Sequence, residues 1–313
     1  MMMNEQVKLA AEEQAIVVDQ SDLGLLKITG ETRLDLIHRM STQAVKDLKV
    51  GEGAATVLTT DIARIIDRLI LAVGEDVVYA LTGAGNGDGV ARYLMRYVFF
   101  NDDFHLEDLS GQRVILGVYG PKAATAMGAL GVEEALERFH WREGEVAGEK
   151  VRVQRVDSIY GDGYLVVGSE EVREDLLGVL AEAGCVVVSA EQFEAVRVEA
   201  GVPRYGAELT GDYIPLEANL WDDISFQKGC YIGQEIIARM DSRGQLAKRL
   251  VRLRVGGEVM VGAGLLAEGK KAGTVTSVAG KAALGYVRTK FLESGVGLVT
   301  EDGVDVEIVD SKL

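Results

Sequence analysis

The spacing of apolar residues divides the chain into a mixed part and a β-rich part. Before Arg249, apolar residues recur three and four positions apart in some segments and alternate or run together in others. This spacing predicts helices at 30–40, 90–97, 123–130, 133–139, 170–184 and 190–200. Predicted strands include 16–19, 25–28, 54–60, 76–81, 114–119, 151–156 and 163–167. Because helices and strands do not alternate strictly, the pattern predicts an α+β fold.

After Arg249 the pattern is that of short strands alone. The predicted strands are 250–255, 262–266, 272–278, 282–287 and 304–309. Glycine-bearing turns separate them and no helical spacing is visible, so this part is predicted to be a small sandwich or barrel. A chain of 313 residues is long enough for more than one domain. We expect three units, at 1–110, 111–244 and 245–313.

Composition narrows the classes of function. The net charge of −16 disfavours nucleic acid and anionic membranes as partners, because both need a basic surface. The two cysteines and three histidines show no ligand or disulfide spacing, so no metal site is expected. No apolar run approaches the length of a membrane span, and the first residues lack the pattern of a signal peptide. These features predict a cytoplasmic protein without a membrane partner.

One glutamate breaks a local rule. Ser189 and Gln192 form a capping box that begins a helix, and Gly201 ends it. Glu199 therefore lies in the last turn, where the helix dipole disfavours a carboxylate. Residues that break such rules are candidates for function. An ordinary surface glutamate fits the pattern equally well.

A second candidate is the segment Lys228-Gly229-Cys230-Tyr231-Ile232-Gly233-Gln234-Glu235. Two glycines flank Cys230, and helical spacing begins after Gly233. The start of a helix and the nearby Lys228 both favour the thiolate form of a cysteine. A small residue packed in a turn is the alternative, because free cysteines are often buried. The polar and glycine neighbours favour a reactive thiol.

This segment resembles the signature of the YgfZ-type folate-binding proteins. These are relatives of the glycine cleavage T-protein, an aminomethyltransferase, and are linked to iron–sulfur cluster maintenance. The flanking segments at 197–204, 214–220 and 237–239 are similar to the same family, as are 28–30, 35–42, 272–277 and 283–287. The resemblance implies two interlocked α+β units followed by a C-terminal β-barrel. It also implies that the three lobes form a ring with tetrahydrofolate, or a one-carbon derivative of it, in the central channel.

The resemblance also assigns roles to particular residues. It implies that Glu199 accepts hydrogen bonds from the pterin ring and that Cys230 is a reactive thiol. It extends the cofactor-binding segment to Lys228, Gly229, Tyr231, Gly233, Gln234 and Arg239. An aspartate doublet of the T-protein corresponds here to Asp67 and Arg68, so only Asp67 remains as a candidate catalytic acid. This departure weakens the similarity to a true aminomethyltransferase.

Three hypotheses follow from these residues. The first is a tetrahydrofolate-binding accessory protein that supports iron–sulfur cluster assembly or repair, and indirectly tRNA modification, through assembly or client proteins. The second is an aminomethyltransferase that moves a one-carbon unit to tetrahydrofolate. The third is a scaffold that kept the fold without folate. A basic cluster, Arg239, Arg243, Lys248 and Arg249, is either a solvated helix end or a site for a polyglutamate tail.

Overall fold

A computed structural model describes residues 5–244 and 246–310, without the side chain of Arg243. The helices in this part of the chain are α1 Glu5–Glu13, α2 Arg33–Met40, α3 Gly87–Met95, α4 Ala123–Met127, α5 Arg173–Glu182, α6 Ala190–Ala200, α7 Gln234–Arg243 and α8 Thr289–Ser294. The strands before residue 244 are β1 Ala15–Asp19, β2 Leu23–Thr29, β3 Gly53–Thr59, β4 Ile65–Val73, β5 Val77–Ala84, β6 His105–Asp108, β7 Arg113–Gly120, β8 Trp141–Val146, β9 Glu149–Val156, β10 Asp162–Ser169 and β11 Cys185–Val188. The strands that follow are β12 Lys248–Val255, β13 Gly264–Ala267, β14 Lys270–Ala279, β15 Ala282–Arg288, β16 Leu298–Thr300 and β17 Asp305–Asp310.

Two sheets form the mixed part. The first has the strand order β3-β4-β5-β2-β6, and all its pairs are antiparallel. The second has the order β11-β1-β7-β10-β9-β8, in which β1 and β11 run parallel. Strand β1 comes first in the chain but pairs within the second sheet, while β2, four residues later, pairs within the first. This exchange interlocks the two units, as predicted, and confirms the α+β class.

The inner faces of the two sheets pack against each other. One buried cluster joins Leu25 and Leu81 of the first sheet to Ile115 and Leu165 of the second. Helices α2 and α3 cover the outer face of the first sheet, and α4 and α5 cover that of the second. Apolar residues on both faces explain why the strands read as nearly continuous apolar runs.

The C-terminal strands close into a six-stranded barrel of order β12-β15-β14-β13-β16-β17. This confirms the barrel predicted from the sequence. Its interior is filled by aliphatic side chains such as Val251, Leu253 and Val275. Helix α8 was missed by the sequence pattern, because a six-residue helix is too short to show a clear period. The unit boundaries at 110 and 244 stay predictions, and residues 1, 245 and 313 lie outside the described residues.

A helix predicted at 133–139 is wrong. The segment is irregular, and its backbone bonds to strand β9: the Phe139 amide donates to the Arg155 carbonyl, and the Arg155 guanidinium donates to the Leu136 carbonyl. Phe139 also has a φ of +66°, outside the helical region. Leu136 is buried at helical spacing from its neighbours, so the period was real but tertiary contacts decided the backbone.

Candidate functional site

A cavity of about 690 Å³ lies where the two sheets, helix α6 and the barrel meet. Its wall includes Leu81 from the first sheet, Leu165 from the second and Val278 from the barrel. Tyr119 and Phe193 stack with ring centroids 5.2 Å apart and give it an aromatic side. Cavities of this size with mostly apolar walls and a few polar groups are typical of small-molecule sites.

Asp67 is a buried acid in this wall, with 1% of its surface exposed. Its carboxylate accepts hydrogen bonds from the amides of Arg68 and Gly83, at 2.7 and 3.0 Å, and from Asn86 Nδ2 at 2.8 Å. Burial raises the pKa of Asp67 to about 6, although these three donors favour the charged form. Asp67 therefore takes up or releases a proton close to neutral pH, as an acid–base group needs to do.

Arg68 lines the cavity, but its guanidinium is bound to two carboxylates. Its Nε donates to Asp223 at 2.6 Å and its Nη2 donates to Asp157 at 2.6 Å. Burial alone would lower the pKa of Arg68, but the two carboxylates raise it above its usual value. Arg138 also binds Asp157, at 2.6 Å. The arginine that replaces the second acid of the doublet thus ties β4 to two other segments.

Helix α6 presents different carboxylates to its two sides. Glu194 lines the cavity and accepts hydrogen bonds from Arg197 Nε at 2.9 Å and Arg204 Nε at 3.3 Å. Glu199 lies outside the cavity lining, where Lys8 of α1 donates to it at 2.7 Å. The carboxylate that the sequence pattern selected therefore contacts the N-terminal helix.

The segment 228–235 is a second candidate site that is separate from the cavity, since none of its residues lines the cavity. The ammonium of Lys228 donates to the carbonyls of His38, Ser41 and Gln43 at 2.5, 2.7 and 2.9 Å. Burial lowers the pKa of Lys228 to about 8. Three carbonyl acceptors match the three N–H groups of an ammonium. Lys228 thus anchors the segment to the end of α2.

Cys230 is exposed on this anchored segment, whereas Cys185 is buried in β11. Tyr231 next to it is buried, and its ring lies 5.0 Å from the Lys228 ammonium. Helix α7 begins directly after Gly233, as the sequence predicted. Gln234 is partly buried and Arg239 is exposed. The segment thus presents a free thiol on a fixed backbone, apart from the cavity.

Gly233 has a structural reason to be glycine. Its φ is +84°, and a Cβ there would lie 2.7 Å from both Thr59 Oγ1 and the Thr60 carbonyl. Gly229, in contrast, has open space around it and no positive φ. Gly233 is therefore where the segment 228–235 touches the turn between β3 and β4.

We expect Gly233→Ala to lower the unfolding free energy by about 1–3 kcal/mol, through backbone strain and the clash with the Thr60 carbonyl. Gly229→Ala is the matched control and should change it by less than about 0.5 kcal/mol. Urea unfolding monitored by circular dichroism measures both. Equal effects of the two variants would contradict this account of the turn.

The structure brings one of the predicted site residues to the cavity wall and leaves the others outside its lining. Asp67 lines the cavity as a candidate acid, while Cys230, Lys228, Gly229, Tyr231, Gly233, Gln234 and Arg239 lie outside its lining, as does Glu199. The lining residues that were missed include Gly83, Asp157, Glu194, Arg204 and Tyr205. Glu194 had a sequence signal, since it precedes Arg197 by one turn in the capped helix. Asp157 and Arg204 come from irregular segments and carried no pattern.

The basic cluster after the segment also lies apart from the cavity. The Lys248 ammonium lies over the Tyr213 ring at 4.2 Å and donates to the Asp212 carbonyl at 3.1 Å. Neither Lys248 nor Arg249 lines the cavity. The side chain of Arg243 lies outside the described part of the structure.

Two interlocked sheets and a barrel around a central cavity define an α+β protein with a candidate small-molecule site. Residues 3–228 match the family described as the GCVT N-terminal domain, and residues 248–311 match the CAF17 C-terminal beta-barrel domain. The chain belongs to the GcvT superfamily and is a member of its YgfZ/CAF17-type branch. This confirms the resemblance found in the motifs.

Individual relatives agree with this placement. A chloroplastic protein of Arabidopsis thaliana, named "putative transferase", is 26% identical over 97% of this chain and 72% of its own length. An aminomethyltransferase of Rippkaea orientalis is 29% identical over 94% of this chain and 85% of its own. The crystal structure of the glycine cleavage system aminomethyltransferase T from Bartonella henselae superposes with a TM-score of 0.85 at 21% identity, covering 98% of this chain and 88% of that one. This last similarity establishes the fold alone.

Within the described residues, no helix has the length and apolar character needed to cross a membrane.

Proposed function

We propose that this chain binds tetrahydrofolate, or a one-carbon derivative of it, in the central cavity and supports iron–sulfur cluster assembly or repair. Enzymes that modify tRNA would then depend on it indirectly. The observation that carries the proposal is the cavity of about 690 Å³ with Asp67 buried in its wall. The cytoplasmic location and the assembly or client proteins as partners stay predictions.

Both the apolar and the polar groups of the cavity support a reduced folate as the ligand. The stacked Tyr119 and Phe193 rings offer a surface for a flat heterocycle. A pterin carries ring N–H and amino groups that donate hydrogen bonds. The carboxylates of Asp67 and Glu194 can accept these hydrogen bonds. When bound, the folate would supply a nitrogen that carries one-carbon units. With a pKa of about 6, Asp67 is mostly ionised at neutral pH, so it can accept a proton or a hydrogen bond from the ligand.

We expect calorimetry to show that the wild type binds tetrahydrofolate. Glu194→Gln should bind it at least about tenfold more weakly than the wild type, because a charge-assisted hydrogen bond is lost. Glu199→Gln is the matched variant on the opposite side of the same helix. The resemblance predicts that the substitution at Glu199 weakens folate binding, whereas the cavity geometry predicts that the substitution at Glu194 does so. We expect Glu199→Gln to bind nearly as well as wild type. A wild type that fails to bind would refute the folate half of the proposal.

The second half concerns Cys230, an exposed thiol on the anchored segment 228–235. We expect Cys230→Ser to abolish support of an iron–sulfur enzyme in cells that lack the wild-type chain, because a hydroxyl does not replace a thiolate as nucleophile or ligand. Cys185→Ala is the control, since that thiol is buried and its pKa is raised by burial to about 11. Full enzyme activity with Cys230→Ser would count against an essential thiol.

The aminomethyltransferase hypothesis keeps one observation in its favour, which is Asp67 at the cavity wall. Relatives with that name cover most of the chain. Arg68 counts against it, because its guanidinium is bound to Asp157 and Asp223 where a second acid would stand. An assay for ammonia release with an aminomethyl-loaded lipoyl protein and tetrahydrofolate separates the two functions. We expect no release.

A further inference from the structure

The cavity lining contains more acidic than basic side chains, and its basic side chains are already bound to protein groups. Its lining contains six carboxylates, from Asp19, Asp22, Asp67, Asp157, Glu191 and Glu194. It contains three guanidiniums, from Arg68, Arg197 and Arg204. Arg173 pairs with Asp19 and Arg138 also pairs with Asp157 from outside the lining. The excess negative charge therefore rests on Asp22, Asp67 and Glu191.

Each of the three guanidiniums is already bound to protein carboxylates. Arg68 holds Asp157 and Asp223, both at 2.6 Å. Arg197 is 2% exposed and donates to the fully buried Glu208 at 2.8 Å.

Arg204, which is more exposed, donates to Glu194 at 3.3 Å and to the Tyr205 carbonyl at 3.3 Å. The cations at the wall are thus matched by acids, and two of those acids, Asp223 and Glu208, lie behind the lining.

Several lining carboxylates are not neutralised in this way. Asp67 is held by amide and Asn86 donors alone, without a cation. Asp22 and Glu191 lie exposed at the rim. A ligand group that enters thus meets uncompensated negative charge both at the rim and at Asp67. Such a wall favours hydrogen-bond donors and repels carboxylates.

We infer that the cavity selects ligands that carry few negative charges, so that a folate enters by its pterin end and its polyglutamate tail gains nothing from this site. This rests on the proposed folate binding. Each glutamate added to the tail adds one carboxylate near the acidic rim. The cavity thus discriminates against long-tailed folates, in contrast to a site with free arginines and lysines at its mouth.

The test compares the mono- and pentaglutamate forms of tetrahydrofolate by calorimetry at about 20 and 300 mM salt, where screening differs strongly. We expect the pentaglutamate to bind about threefold or more weakly at low salt, and the gap to close at high salt. Tighter pentaglutamate binding at low salt would overturn the inference and leave folate binding intact. Absence of binding by both forms would overturn both proposals.

Variants at the rim test whether the rim carboxylates cause the difference in affinity between the two folates. This comparison does not depend on how tightly either folate binds overall. Asp22→Asn with Glu191→Gln removes two lining charges without touching the groups that hold Asp67. We expect this pair to narrow the low-salt gap between the two folates by at least about half. Glu258→Gln with Asp302→Asn is the matched control, exposed on the barrel and away from the lining, with the same change in net charge. An equal effect of both pairs would show that overall charge, and not the rim, sets the preference.

Discussion

An unfolding free energy about 3–5 kcal/mol below that of the wild type is expected for Glu208→Ala, because one partner of a buried ion pair is removed. Glu208 has no exposed surface. Its carboxylate accepts from Arg197 Nη1 at 2.8 Å, from Thr276 Oγ1 at 2.7 Å and from Ser277 Oγ at 2.6 Å. Alanine would leave three buried donors short of an acceptor.

The position of Glu208 explains why the effect should be global. Arg197 comes from helix α6, while Thr276 and Ser277 come from strand β14 of the barrel. Tyr286 of β15 adds a hydrogen bond to the Glu208 carbonyl at 2.9 Å. The glutamate therefore joins the barrel to the helix that lines the cavity. Its loss should loosen the enclosure of the cavity as well as the fold.

Urea unfolding of Glu208→Ala measures this, with Glu307→Ala as the control. Glu307 forms an ion pair with Arg254, and both side chains are more than half exposed. Loss of this pair should lower the unfolding free energy by at most about 1 kcal/mol. The double variant Arg197→Met, Glu208→Leu removes both charges and should recover part of the loss. If Glu208→Ala and Glu307→Ala had the same effect, the buried network would not join the two parts.

The second large effect is an increase in the unfolding free energy. Asp67→Asn is expected to stabilise the protein above pH 7 by as much as roughly 3 kcal/mol and to weaken ligand binding. The size follows from the difference between the ordinary value of 3.8 and the folded pKa of about 6. The neutral asparagine does not carry this desolvation cost. Asn86 can turn its amide to accept from the new Nδ2 group.

The direction of the pH dependence follows from proton linkage. Burial raises the pKa of Asp67 in the folded chain, so the folded state binds its proton more tightly than the unfolded state. The stability that this proton contributes is complete below about pH 4 and is lost as the pH rises through about 6. The difference between wild type and Asp67→Asn should therefore be small near pH 4 and reach its full size above pH 7.

Urea unfolding at several pH values between 4 and 8 checks this profile. Asp302→Asn, on an exposed turn of the barrel, is the control and should show no such trend. A constant difference between wild type and Asp67→Asn over this range would mean that Asp67 titrates normally. Together with weaker folate binding, the expected profile would identify Asp67 as a residue kept for function at the expense of stability.

The sequence predicted elements best where local pattern and tertiary environment agree. The capping box at Ser189 and Gln192 forms as predicted, and Gly201 ends α6 in the left-handed conformation. Five of the six barrel strands lie close to their predicted positions, because apolar runs between glycine-bearing turns mark them. Strand β16 was missed, since its three residues are too few to show a pattern. The helix predicted at 133–139 does not form, because Arg155 of strand β9 binds the backbone of that segment.

The sequence by itself determined the α+β class, the C-terminal barrel and the family, because these depend on period, turn residues and a short motif. Through the resemblance it also named Asp67 as a candidate acid, and the structure alone showed that Asp67 is buried. Only the tertiary structure decided which charges meet. It turned Glu199 towards Lys8 and Glu194 towards the cavity, and it bound Arg68 to Asp157 and Asp223. These pairs join residues far apart in the chain. Local spacing cannot specify such pairs, since the face that an element buries depends on what packs against it.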